Sequence, residues 1–412
     1  MKKNSKQTFR VLFDETQFRG SHPGEQTYAI LLLSQLAEME AVEVELLEGP
    51  SPNEPLCSRS VKLVSNLPTR SYGKLSDLEL IAERPKLWQK VANGLARKAL
   101  EKADELLEEH RLEALLEPAP DIVHLSRFRL LKFPDERPYK VVATVHDVIP
   151  SVYPEFFSPD IPAATRRLME FYRANCDHVI AVSERTRQDL LVLFGFDPEF
   201  VSVVHNGFMP NYWPEPDSEY ISSKLTSEGA AFSRYFLWVS TIEPRKNFAG
   251  VYDAYRRLQK ESDKTCGLVV VGSPGWMCQR ELEMLQVLVD EGNALWLQGV
   301  SEEELRLWYS SAIGLLMPSF YEGFGLPVVE ALACGCPVIT SRNSAMSEIT
   351  GETALLVDPH DEKSIFSAMK TLLEDEAVAR DLSTWGPSAA RSFTPEICAS
   401  KTLDIYRKLI EE

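Results

Sequence analysis

Short apolar runs, many of them β-branched, recur along the 412-residue chain, and amphipathic stretches of helical length separate them. The runs predict strands at residues 8–14, 42–47, 121–125, 140–146, 178–182 and 201–204 in the first half. In the second half they predict strands at 235–240, 268–271, 295–298, 313–317, 337–340 and 354–357. The runs are continuous rather than alternating, the pattern of sheets covered by helices on both faces. Each half carries enough strands for its own doubly wound sheet, and a chain of this length exceeds what one core usually supports. The expected division is therefore a first domain over 1–207 and a second over 234–392. A proline-containing, unperiodic linker at 208–233 lies between them, and a terminal helix follows at 393–412, opened by Thr394-Pro395.

The segment 83–117 stands apart as a long charged stretch with Leu87, Val91, Leu95, Leu100, Leu106, Leu107, Leu112 and Leu115. Its plain reading is a surface helix pair. Its basic cluster from Lys86 to Lys102 also suits a membrane surface or a partner, although Asp104, Glu105, Glu108 and Glu109 weaken that fit.

Composition narrows the function. A formal net charge of −17 argues against a nucleic-acid binder. A groove for a phosphorylated ligand then has to be built from few basic residues. The apolar run after the basic N-terminus is far too short for a secretory leader, and no run is long enough to span a bilayer. Seven cysteines lack framework spacing, and Cys334 and Cys336 lie in an apolar run without metal-ligand neighbours. The expectation is a cytoplasmic protein without a metal site.

Chemistry concentrates in three segments. Ser319 to Glu330 reads Ser-Phe-Tyr-Glu-Gly-Phe-Gly-Leu-Pro-Val-Val-Glu and joins a strand to a helix. Gly323 and Gly325 let the backbone approach a ligand, and Pro327 suits a first helical turn. The helix N-terminus behind them offers free N–H groups to an anion. Glu322 and Glu330 are awkward beside an anion unless the ligand also donates hydrogen bonds, as a nucleotide sugar does. The alternative is a tight turn with two solvated carboxylates.

Ser240 to Asn247 reads Ser-Thr-Ile-Glu-Pro-Arg-Lys-Asn at the end of another strand. Asn247 suits a helix cap, and Arg245 with Lys246 suits a diphosphate clamp, or else a basic surface turn. His146-Asp147 ends a strand of the first half, fitting sugar contact, acid–base work or a plain turn. Gly20 and Gly24 lie in a loop after the first strand, without the full dinucleotide-binding spacing.

Together these segments resemble the retaining glycosyltransferase family 4, whose Glu-x7-Glu signature matches Glu322 and Glu330. Glu-Pro-Arg-Lys-Asn matches residues 243–247, and the strand-end His-Asp matches His146-Asp147. The resemblance covers nearly the whole chain. It implies the α/β GT-B fold, two facing Rossmann-like doubly wound domains with a cleft between them. The first domain would take the acceptor and the second the nucleotide sugar, with the terminal helix crossing back to the first.

By the same resemblance His146, Glu322, Arg245 and Lys246 are catalytic, with His146 beside the reacting sugar and Glu322 a positioning residue rather than a nucleophile. Donor binding falls to Gly24, Thr241, Arg245, Lys246, Gly323, Phe324, Gly325, Leu326 and Glu330, the last on the ribose, and Asp147 faces the acceptor. No metal or cofactor is implied. Thr241 stands near where many members carry an arginine, which loads the phosphate contacts onto Arg245 and Lys246. Residues 146–155 with 241–247 look most like bacterial surface-polysaccharide mannosyltransferases, hence GDP-mannose as donor, a glycan or lipid-linked glycan as acceptor, and peripheral association with the inner face of the membrane. A UDP-sugar donor is the nearest alternative. A sugar-nucleotide epimerase, a phosphorylase, a non-catalytic partner subunit and a dehydrogenase are the others.

Overall fold

The computed structural model describes residues 9–14, 23–39, 42–47, 61–62, 119–125, 133–134 and 136–411. Every expected strand is present, each within one residue at either end. The first sheet has the order β3-β2-β1-β4-β5-β6-β7. These strands are Phe9–Asp14 (β1), Val42–Leu47 (β2), Val61–Lys62 (β3), Ile122–Leu125 (β4), Lys140–Val145 (β5), His178–Ala181 (β6) and Val201–Val203 (β7). β1 pairs in parallel with β2 and β4, and β4 with β5. The short β3 was not anticipated; it pairs antiparallel to β2 through only two residues, too few to leave a sequence pattern.

The second sheet runs β10-β9-β8-β11-β12-β13 and its registers are parallel. It comprises Tyr235–Val239 (β8), Gly267–Val271 (β9), Ala294–Leu297 (β10), Gly314–Met317 (β11), Val338–Ser341 (β12) and Leu355–Val357 (β13). Alternate residues of β8 enter different cores. Tyr235 and Leu237 pack on one face with Trp308 and Val328, while Phe236 and Trp238 pack on the other with Phe248 and Tyr255. Burial on both faces is why the strands read as unbroken apolar runs. In this sheet the chain winds one way from β8 to β10 and the other way from β11 to β13. The switch point therefore lies between β8 and β11, where such folds bind ligands at the carboxyl ends of the strands.

By packing, the chain divides into two compact units, one of Met1–Thr144, Leu168–Ile180 and Ala399–Glu412, the other of Val145–Arg167 and Ala181–Cys398. Within the first unit a chain of hydrogen-bonded polar side chains is buried at the sheet. The His124 ring, on β4, has Nε2 at 2.8 Å from Thr144 Oγ1, and the Tyr28 hydroxyl is 3.0 Å from that same oxygen. Its Nδ1 bonds the hydroxyl of Tyr406, on the helix Pro395–Glu411. The terminal helix is thus tied to the sheet by a side-chain hydrogen bond as well as by apolar packing.

Two local expectations need correction. The segment 208–233 is not irregular throughout, since Ser218–Ser227 is a helix capped by Asp217, whose side chain accepts from Tyr220 N at 2.8 Å. Its buried stripe is only Ile221 and Leu225, one i, i+4 pair, too little to register as periodicity. Gly24 is not in a loop; it is the second residue of the helix Pro23–Glu38. Gly20 and the segment 83–117 lie outside the described residues. Among those described, no helix is long and apolar enough to cross a membrane.

Candidate functional site

The loops leaving β8 and β11 meet at the switch point. After β8 the chain makes a short 3-10 turn, Pro244–Lys246, and then Asn247 adopts left-handed backbone angles (φ 58°, ψ 39°). Asparagine tolerates that conformation better than most residues. Its amide oxygen accepts from Gly250 N at 3.2 Å, capping the helix Phe248–Glu261. Its Nδ2 donates to the carbonyls of Pro318 (3.0 Å) and Pro359 (2.8 Å), so one side chain fixes the loops after β11 and β13 relative to that after β8. The expected cap is present and does more than cap.

This register aims Arg245 and Lys246 at Glu322. Arg245 donates to Glu322 Oε2 at 2.9 Å and to the Tyr321 carbonyl at 2.7 Å, and its other terminal nitrogen pairs with Glu243. Lys246 Nζ donates to Glu322 Oε1 at 2.7 Å. Glu243, Arg245 and Glu322 are all buried. Burial alone would push the Glu322 carboxyl upward; the two cations and their hydrogen bonds outweigh it and hold the carboxyl at about 2. Burial and the neighbouring Arg245 charge lower Lys246 from its ordinary value, with Glu322 and Glu243 opposing. Burial raises Glu243 against the opposing pull of Arg245 and Lys246. The result is two acids and two bases interlocked with little net charge. Arg245 Nε and Glu243 Oε2 have no hydrogen-bond partner among the described residues.

The glycines of the second loop each have a local reason. A Cβ on Gly323 would sit 1.9 Å from the His146 carbonyl oxygen, so only glycine lets the loop lie against the end of β5. Gly325 has φ 111° and caps the helix Leu326–Ala333, with Pro327 in the first turn as expected. Phe324 turns inward, its ring near those of His205 and Phe393, so only its backbone is available to a ligand. One turn into the helix, Glu330 accepts from the Tyr309 hydroxyl at 3.0 Å. Burial raises Glu330 to about 7, the Tyr309 hydrogen bond opposing and the Glu302 charge reinforcing. The two carboxylates of one motif are therefore driven apart, one held ionised and the other poised near neutrality.

His146 and Asp147 belong to the same unit. Burial lowers His146 to about 4, so its imidazole is neutral at neutral pH. Asp147 accepts from Ile149 N at 3.0 Å and adds to the negative field that raises Arg245. The structure thus brings His146, Asp147, Arg245, Lys246, Glu322 and Gly323 together, with Glu330 on the adjoining helix. Thr241 is exposed at the start of the β8 loop and Leu326 is half-buried at the helix start. Gly24 belongs to the other unit.

Sequence reasoning missed several participants. Glu243 was quoted as part of a motif and given no task, yet it is the partner that fixes Arg245. Tyr309 carried no motif and is found only through Glu330. Tyr321 bonds the buried Asp189, which also holds Arg185 at 3.0 Å, and Thr186 donates to the Gly323 carbonyl at 3.4 Å. Asp189, Arg185 and Thr186 come from the helix Glu184–Phe194, capped by Ser183, a segment in which the sequence marked no motif.

Two family profiles match the chain, glycosyl transferases group 1 over residues 229–388 and Glycosyltransferase Family 4 over residues 24–211. The chain is similar to the O-antigen chain mannosyltransferase B of Escherichia coli, 28% identical over 66% of this chain and 71% of that protein. It is also similar to the O-antigen chain mannosyltransferase RfbU of Salmonella typhimurium, 31% identical over 58% of this chain and 62% of the relative. Among solved structures, sucrose-phosphate synthase from Thermosynechococcus elongatus matches with a TM-score of 0.68 at 19% identity, covering 98% of this chain and 99% of that one. At that identity the likeness speaks for the GT-B fold alone.

Proposed function

The chain belongs to glycosyltransferase family 4, and from that premise we propose that it moves a hexosyl group, mannose from GDP-mannose, onto a glycan or lipid-linked glycan acceptor with retention at the anomeric carbon. The observation that carries this reading is Glu322, held ionised between Arg245 and Lys246 at the switch point, with Gly323 against His146. The similarity to two O-antigen chain mannosyltransferases supports the choice of sugar and a part in surface-polysaccharide assembly.

In this reading an acceptor hydroxyl attacks the anomeric carbon from the face that the diphosphate leaves. The bond from that carbon to the diphosphate oxygen breaks, the new glycosidic bond forms, and the hydroxyl proton passes to the departing phosphate. Lys246 and Arg245 turn part of their positive field from Glu322 toward the diphosphate, stabilising charge as it develops. No divalent ion is invoked, and unchanged turnover in a chelator is the expected outcome. Glu322 accepts from hydroxyls of the transferred sugar while remaining tied to at least one cation. The positive dipole end of the helix Leu326–Ala333 faces phosphate. Glu330 takes the ribose hydroxyls, and neutral His146 contacts the sugar near the reacting carbon. Reaction on the inner face of the membrane follows from a soluble donor and a lipid-linked acceptor.

Calorimetry with GDP, UDP and ADP tests the donor, and the expected order puts GDP first; a preference for UDP would overturn the assignment. Transfer from GDP-mannose to oligomannoside, followed by NMR of the new anomeric proton, tests the reaction and its stereochemistry. Lys246→Ala is expected to abolish transfer while remaining folded by circular dichroism. Full activity in that variant would sink the assignment of the site.

A further inference from the structure

Beside the reacting groups lies a column of aromatic rings that the chemistry above does not use. Tyr153 stacks on Phe156 (centroids 5.6 Å apart, planes at 21°), Phe156 on Phe320 (5.9 Å, 18°) and Phe320 on His360 (4.8 Å, 27°). Phe157 lies 5.7 Å from Trp276, whose indole N–H donates to the Phe156 carbonyl at 2.8 Å. None of these six rings is fully buried. Met277 follows Trp276 with 63% of its surface exposed and a positive φ of 54°, a conformation that side chains other than glycine and asparagine rarely take. Strain of that kind survives only where the surroundings hold it, and here it presents a large apolar side chain outward.

The column is continuous with the reacting centre. Tyr153 follows Asp147 across the one-turn helix Ile149–Val152, and Phe320 and Tyr321 precede Glu322 on the loop after β11. Tyr153 and Tyr321 meet edge to face at 6.2 Å. Among the described residues the cation in ring contact here is Arg185 over Tyr321, and it is already paired with Asp189. An anionic headgroup or a second phosphate therefore finds aromatic carbon where it needs positive charge. A pyranose presents an apolar C–H face to such rings and directs its hydroxyls outward, where Asp147 and Glu155 can accept from them.

We propose that Trp276, Met277 and the Tyr153–Phe157 rings form a subsite for the neutral saccharide end of the acceptor, with Trp276 as its principal stacking face. This rests on the glycosyl-transfer reading and deepens it. Trp276 is a positioning and recognition residue here, separate from the donor grip.

Two substitutions separate stacking from the hydrogen bond to Phe156. Trp276→Ala removes both, whereas Trp276→Phe keeps a ring and loses the N–H. With GDP present, binding of α-mannotriose followed by calorimetry and saturation-transfer NMR is expected to weaken about ten-fold or more in Trp276→Ala and only about two- to three-fold in Trp276→Phe. GDP affinity and the melting temperature should stay at wild-type values in both. Unchanged mannotriose binding in Trp276→Ala, equal loss in both variants, or absence of mannotriose binding by the wild type would each overturn the subsite. Failure of the wild type to bind any nucleoside diphosphate would instead remove the glycosyl-transfer reading, because that measurement is made without saccharide.

Discussion

Two buried polar regions differ in kind. In the first unit, His124, Thr144, Tyr28 and Tyr406 form a chain of hydrogen-bonded side chains in the middle of a sheet and its flanking helices. In the second unit, Glu243, Arg245, Lys246 and Glu322 form a charged cluster at a sheet edge, with Arg245 Nε and Glu243 Oε2 unpartnered among the described residues. Mutually hydrogen-bonded groups stabilise one arrangement and ask nothing of a ligand. Interlocked charges at an edge incur desolvation that their mutual attraction only partly offsets, which suits groups that must exchange partners during a reaction. Removing a member of the first region should cost stability, and removing a member of the second should cost activity.

The sharpest test of that contrast is Glu322→Gln, which keeps shape and hydrogen-bonding oxygen while removing charge. Transfer is expected to fall at least about a hundred-fold, the scale for loss of one positioned electrostatic group, with the folded state retained. A variant that unfolds with intact specific activity in its folded fraction would make the cluster structural and dissolve the comparison. Next in size is Gly323→Ala. Its methyl group would force the loop away from the His146 carbonyl, and overpacking of this kind costs about 1–3 kcal/mol while displacing Glu322. The expected outcome is a kcat decrease that exceeds any change in the denaturation midpoint.

Tyr406→Phe probes the other region. It removes the hydroxyl that bonds His124, and a destabilisation of about 1–2 kcal/mol is expected in urea titration, with kcat and KM unchanged. The smallest effect concerns Glu330. Burial pushes its carboxyl up to about 7, and in the proposed role on the ribose it would accept hydroxyls best when ionised, so GDP affinity should rise as pH increases from 6 to 8. Glu330→Gln should flatten that profile; a profile equally steep in the variant would assign the titration elsewhere.

Much of this was legible in the chain. Strand positions were, because burial on both faces leaves unbroken apolar runs that turn residues punctuate. The conjunction of Glu322, Gly323, Gly325, Pro327 and Glu330 was legible because close backbone approach, a helix start and two acids seldom coincide by chance. What stayed hidden depends on tertiary approach. Nothing local says that Glu243 faces Arg245, that Tyr309 reaches Glu330 from a preceding helix, or that a glycine at 323 answers the carbonyl of His146 just after β5. The charge state of the cations was equally hidden. Sequence shows Arg245 and Lys246 as a ready clamp for phosphate, whereas folding first hands both to Glu322. The helix Ser218–Ser227 escaped because two buried side chains are too few to make a period.

Asn247 carries a practical consequence for redesign. With three hydrogen bonds, its amide fastens the loops after β8, β11 and β13 to one another. Directed evolution toward a new donor sugar can therefore randomise exposed positions such as Thr241 while the frame keeps its alignment, provided residue 247 is excluded from the library. Saturation mutagenesis there would score as a loss of every donor at once, since the change would detune the whole rim rather than select among ligands.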